Sequence, residues 1–142
     1  MDIRPLTPGY AVSPQIALED LPAIKAAGFT TLIDNRPDAE IPGPLHTAAM
    51  QAAAEAQGLT FVVNPIISGG MTMENVAAQR AAIDAATGPV LAYCASGNRS
   101  SQVWALALAG QMPADDLIGI PARFGYQLEG LRGTIDRLAQ QG

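Results

Sequence analysis

Leu18, Leu21 and Ile24 stand three apart among Glu19, Asp20 and Lys25, a spacing that predicts an amphipathic helix over residues 18–27. Gly28 follows as its C-cap. Phe29 to Ile33 is apolar and β-branched, which predicts a buried strand, with Asn35-Arg36-Pro37-Asp38 as the turn after it. An Ala-rich stretch over 46–57 predicts a second helix stopped by Gly58. Phe61-Val62-Val63 reads as the next strand and Gly69-Gly70 as a loop. A third helix runs from about Met73 to Ala86 with Thr72 as its N-cap. Gly88-Pro89 then leads into the apolar strand Val90-Leu91-Ala92-Tyr93, and Gly9 to Ser13 forms a short β-prone segment broken by Pro14. The order β-α-β-α-β-α-β, with helices to the end, predicts a three-layer α/β sandwich around a mostly parallel central sheet. Residues 1–142 read as a single domain.

Composition narrows the function classes. The chain is 49% hydrophobic and only 15% charged, a balance that excludes disorder. Its formal net charge is −5, and the basic residues are seven Arg and the single Lys25. No basic cluster is present to neutralise a phosphate backbone, so neither nucleic acid nor an anionic membrane is an expected partner. Met1 to Tyr10 has no apolar leader, and no apolar run approaches the roughly 18 residues of a membrane span, so the expected location is cytoplasmic. Cys94 is the only cysteine and His46 the only histidine. That inventory excludes an internal disulfide and a Cys-x-x-Cys pair, and it implies neither a metal nor a cofactor.

Ligands in sheets of this kind sit at the carboxyl ends of the strands, and Cys94 directly follows the most hydrophobic one. Cys94-Ala95-Ser96-Gly97-Asn98-Arg99-Ser100 joins that strand to the apolar helix beginning near Val103. A loop wrapped around a helix start points its amides inward and adds the positive end of the helix dipole, which favours an anion and a thiolate. Gly97 takes positive φ freely and Asn98 tolerates it. Arg99 offers a planar fork for an oxyanion, and Ser100 can cap the helix and donate to the thiolate. The plain alternatives stand beside these roles: a lone Cys is commonly an inert core residue, Arg99 a surface charge, Ser100 only a cap. Arg36 either reaches the loop to bind substrate or pairs with Asp34 or Asp38. His46 reads as a helix-start residue rather than a catalyst, Trp104 as core, and Phe124-Gly125-Tyr126, near a helix boundary, as ordinary packing with a pocket lining as the alternative. Arg4, Arg80, Arg123, Arg132 and Arg137 carry no motif.

The Cys-x4-Arg-Ser loop resembles the anion-binding loop of rhodanese-type sulfurtransferases and, one residue longer, that of cysteine phosphatases. Val12-Ser-Pro-Gln15, Glu19-Asp-Leu21, Gly28-Phe29, Asn35-Arg-Pro-Asp38 and Tyr93-Cys94 with Gly97 and Arg99-Ser100 together resemble the beta-lactamase hydrolase-like family. The resemblance spans the chain from Ile3 to Gly110. It implies a fold like that of dual-specificity phosphatases, sulfur transfer as the activity, Cys94 as the catalytic residue and Arg99 as the loop arginine. Relatives often carry Arg after the catalytic Cys; Ala95 stands there in this chain. Some relatives are fused to a persulfide dioxygenase, which for this chain is expected to be a separate partner.

Two chemistries then compete. A phosphatase needs a general acid for its leaving group, and the loop Pro65-Ile-Ile-Ser-Gly-Gly70 after the third predicted strand has no carboxylate. Asp38, and behind it Glu40, are the candidates for that acid, with a turn role as the plain reading of Asp38. Sulfane-sulfur transfer needs no acid, because sulfite or a low-pKa thiolate leaves unassisted. The expectation is therefore a sulfurtransferase. Cys94 and Arg99 are catalytic; Ala95, Ser96, Gly97, Asn98, Ser100 and Arg36 bind substrate; a small anionic sulfur donor and a thiol acceptor are the partners. The alternatives are a cysteine-dependent phosphatase on small phosphate esters and a non-catalytic thiol or redox sensor.

Overall fold

The computed structural model describes residues 1–141. Five strands, β1 (Arg4–Thr7), β2 (Tyr10–Ser13), β3 (Thr31–Asp34), β4 (Thr60–Val63) and β5 (Val90–Tyr93), form one sheet in the order β1-β2-β5-β3-β4. The helices are α1 (Leu21–Ala26), α2 (Thr47–Ala56), α3 (Met73–Ala85), α4 (Asn98–Ala107), α5 (Ala114–Ala122) and α6 (Arg132–Gln141). β2, β5, β3 and β4 are parallel, with Val12 and Ile33 both opposite Ala92 and Val62 opposite Ile33. β1 adds an antiparallel edge.

Strand alternation sorts the core into two layers. Ala11, Leu32, Leu91 and Tyr93 pack with Leu21 and Ile24 of α1 and Met50 and Ala54 of α2. Val12, Ile33, Val90 and Ala92 pack on the opposite face with Val76, Val103, Trp104, Leu117 and Ile135 of α3 to α6. The three-layer expectation is met, and Trp104 is fully buried core, stacked on Tyr10 with ring centroids 6.1 Å apart. β5 lies at the sheet centre with both faces covered, which explains why it reads as a continuous apolar run rather than an alternation.

Two departures from the pattern have local causes. β1 carries no apolar alternation, contains Pro5, and exists because β2 offers it an edge, the place where a sheet tolerates proline. The first helix begins with a 3₁₀ turn over Leu18–Asp20, and only Leu21–Ala26 is α-helical, with Pro22 in its first turn. Thr72 caps α3 as expected, its hydroxyl accepting the Asn75 amide at 3.1 Å. The outcome that matters for chemistry is convergence. β2, β3 and β5 end together, so Ser13, Asn35 and Cys94 meet, with Asn35 N donating to Tyr93 O at 2.9 Å.

Candidate active site

The chain leaves β5 at Cys94 and turns into α4 through Gly97, which holds φ +95° at the N-cap position. Cys94 is fully buried, and the Gly97 amide donates to its Sγ at 3.1 Å. The Asn98 amide is taken by Ser96 Oγ at 3.3 Å. The amides of Ala95, Ser96, Arg99 and Ser100 have no acceptor among the described residues, as expected where a loop meets the first turn of a helix. Such a cluster of amides, with the dipole of the ten-residue α4 behind it, suits a small anion over Cys94.

Arg99 does not wave into solvent. Its two terminal nitrogens donate to Glu40 Oε1 and Oε2 at 2.8 Å each, and Nη1 also donates to Ile66 O at 2.7 Å. The hydrogen bonds it donates to Glu40, with the nearby Cys94 sulfur contributing, hold the guanidinium more basic than usual. Reciprocally, the Arg99 hydrogen bond holds the Glu40 carboxyl below the ordinary carboxylate range. Arg36 reaches the same carboxylate, Nε to Oε1 at 3.4 Å, and donates to Gln15 Oε1 at 3.2 Å. Gln15 in turn donates its amide to Ala95 O at 3.4 Å, so Arg36 sits at the rim of the loop. Its side chain pairs with Glu40 rather than with Asp34 or Asp38; Asp34 Oδ1 accepts only the Arg36 backbone amide, at 2.9 Å.

The other side of the loop is braced by Tyr126. Its hydroxyl donates to Ser96 O at 2.7 Å and accepts from Arg4 Nη1 at 2.6 Å. The Arg4 guanidinium lies 5.4 Å from the Tyr126 ring centroid. A Cβ on Gly97 would come within 2.2 Å of Tyr126 Oη, so glycine is required here by both conformation and space. Of the two readings of Tyr126, the pocket-lining one fits this geometry, and Arg4, which carries no motif, takes part in bracing the loop. Nothing local in the sequence marks either residue, because they lie 30 and 92 positions from Ser96 along the chain.

Beneath the loop runs a buried polar network. Ser100 Oγ donates to Asn35 Oδ1 at 2.9 Å, and Asn35 Nδ2 donates to Gln79 Oε1 and Asn64 O, each at 2.9 Å. Gln79 Nε2 donates to Tyr10 Oη at 2.9 Å, and that hydroxyl donates to Ser100 O at 2.9 Å. The expected role of Ser100 toward the thiolate is therefore corrected. A hydroxyl has one proton, and here it goes to Asn35, so Ser100 anchors α4 to the end of β3.

Asp38, the candidate general acid, is occupied at the start of α2. Its Oδ1 accepts the Thr47 amide at 2.8 Å and the Thr47 hydroxyl at 3.0 Å, which caps α2 from outside. The bond from the Thr47 amide holds its carboxyl below the usual range, the wrong direction for a proton donor. Among the described residues Asp34 is the one carboxyl pushed upward, by burial, yet its oxygens face the Arg36 amide and Thr47 Oγ1 on the α2 side of the sheet. His46 stands at the start of α2 with Nε2 2.8 Å from Ile41 O. Sequence reasoning weighed Glu40 only as an acid and missed its pairing with Arg99. Its signal was a carboxylate four residues after Arg36.

Against this geometry, the family model of the beta-lactamase hydrolase-like protein, phosphatase-like domain, matches residues 2–111. A beta-lactamase hydrolase-like protein of Xylella fastidiosa Temecula1 is 30% identical over 130 residues, covering 90% of this chain and 30% of the relative. One from Agrobacterium fabrum is 29% identical over 119 residues, covering 82% of this chain and 28% of the relative. The chain thus spans less than a third of those longer proteins. Among solved structures, a presumed phosphatase of Neisseria meningitidis Z2491 shares 33% identity with a TM-score of 0.82, covering 97% of this chain and 99% of that one. The active form of Tk-PTP superposes with a TM-score of 0.78 at 18% identity over 99% of this chain and 97% of that one, a likeness of fold alone.

Proposed function

The chain belongs to the beta-lactamase hydrolase-like family, as its phosphatase-like domain, and from that premise we propose that it is a sulfurtransferase working through Cys94. With thiosulfate, the Cys94 thiolate attacks the outer sulfur, the S–S bond to the sulfonate breaks, and the bonding pair leaves on sulfite. Cys94 keeps the sulfur as a persulfide anion. An acceptor thiolate then attacks that outer sulfur and restores the Cys94 thiolate. The Ala95, Ser96, Arg99 and Ser100 amides receive the anionic end of the donor, and Arg99 orients it from the position that Glu40 and Ile66 O enforce.

One observation carries the choice of sulfur over phosphorus. Both acid candidates are engaged elsewhere, Asp38 accepting the Thr47 amide and hydroxyl and Glu40 accepting both terminal nitrogens of Arg99. Sulfite needs no proton to depart, whereas an alkoxide does.

The comparisons favour a second reading, a cysteine-dependent phosphatase: the matching family model describes a phosphatase-like domain, and the Neisseria protein is a presumed phosphatase. In that case Cys94 would attack phosphorus and the loop would hold the three equatorial oxygens. Intact-mass analysis separates the two. Incubation with thiosulfate is expected to add one sulfur atom to the wild-type chain and none to Cys94→Ser. An unmodified wild type that hydrolyses an aryl phosphate in a Cys94-dependent manner would establish the phosphatase instead. Binding of anions with turnover of neither substrate would point to the sensor.

A further inference from the structure

A cleft of about 430 Å³ opens beside the loop, between the segment after β4 and helices α3 and α4. Ile66, Ile67, Met71, Met73, Val76 and Leu131 form its apolar wall, polar side chains such as Thr72 and Gln102 complete it, and Arg99 is its sole charged lining residue among the described residues. Its volume falls in the range of small-molecule sites, roughly 300–1,000 Å³. Ile67 and Met73 are 67% and 55% exposed, large apolar side chains spread at the rim instead of folded into the core. Thiosulfate has no apolar part to place there.

We infer that the donor is an amphiphile, an anionic sulfane-sulfur compound whose alkyl or aryl tail lies in this cleft while its charged end meets Arg99 and the loop amides. The inference rests on the sulfur-transfer reading. Charge complementarity selects this occupant: Arg99 is the wall shared by cleft and loop, no carboxylate lines the cleft among the described residues, and the Arg36, Arg99 and Glu40 cluster sums to one positive charge. An alkanethiosulfonate, R–SO₂–S⁻, has this form. The Cys94 thiolate attacks its terminal sulfur, the S–S bond breaks with its electron pair leaving on the sulfinate R–SO₂⁻, and Cys94 retains a persulfide anion. Sulfinate, like sulfite, departs without a proton.

The test is a series of methane-, butane- and octanethiosulfonate with the full chain, thiosulfate as reference and glutathione as acceptor. kcat/KM is expected to rise about two- to fourfold per methylene, as burial of apolar area predicts for a half-open cleft. Ile67→Asp and Met73→Asp are expected to flatten that slope, and both positions are exposed enough to spare the fold. A flat wild-type series, with every member turned over, would overturn the tail inference and leave sulfur transfer standing. A slope preserved in both variants would overturn the assignment of the tail to this cleft. No turnover of any member, thiosulfate included, would overturn the sulfur-transfer reading and this inference with it.

Discussion

Glu40 and Arg99 face each other in a two-pronged ion pair, both contacts 2.8 Å long, across 59 positions of sequence. The fork geometry fixes the guanidinium plane, which a single contact would leave free to rotate. Glu40→Gln keeps the shape but removes the charge and one acceptor. The expected result is a fall of about tenfold in kcat/KM for sulfur transfer, corresponding to about 1.4 kcal/mol. Steady-state kinetics check it, and an unchanged kcat/KM would show that Glu40 does not position Arg99.

Gly97→Ala places a methyl group on a residue at φ +95° and within 2.2 Å of Tyr126 Oη. The left-handed conformation alone costs about 1–2 kcal/mol for a residue with a Cβ, and the steric overlap forces loop or tyrosine to move. Turnover is expected to fall at least 100-fold, about 2.7 kcal/mol or more in transition-state stabilisation. Adding Tyr126→Phe removes the overlapping oxygen and should recover part of the loss. Full recovery would mean that the overlap, and not the backbone conformation, is the whole cause.

The network under the loop makes its own stability prediction. Gln79→Leu strips partners from Asn35, Asn64 and Tyr10, all buried, and is expected to cost about 2–3 kcal/mol. Ser100→Ala leaves Asn35 Oδ1 with its 3.3 Å bond from Gln79 and should cost about 1 kcal/mol. Urea denaturation at constant slope measures both. Equal costs for the two variants would show that Gln79 is not the hub.

Asp38→Ala distinguishes a cap from a catalyst. As a cap it contributes about 1 kcal/mol at neutral pH, and kcat is expected to stay within twofold of wild type. The folded-state pKa of Asp38 lies below the ordinary 3.8, so its ionised form contributes stability above that value. This contribution is lost as pH falls through the folded pKa, and the stability gap between wild type and variant should narrow there. Urea midpoints at neutral pH and below pH 3.8 test the sign. A tenfold loss of kcat at unchanged neutral-pH stability would return Asp38 to the role of proton donor.

Apolar β-branched runs, helical spacing and turn residues located the parallel strands, the capped helix starting at Thr72 and the loop containing Cys94, because each depends on residues that are neighbours in sequence. The Cys-x4-Arg spacing likewise identified the candidate nucleophile and its arginine, since loop and helix start are one continuous segment. What the side chains of that loop do was decided by the sheet. It brings the ends of β2, β3 and β5 together, and thereby gives the Ser100 proton to Asn35. It also puts Glu40 against Arg99. Asp38 shows the same division: its turn position is local, but its use as a cap depends on where α2 begins in space. Tyr126, Arg4 and the cleft under Ile67 and Met73 owe their place at the site entirely to tertiary packing. Hydrogen-bond partners and cavity walls are properties of distances between segments, and a linear pattern of apolar and polar positions carries no information about those distances.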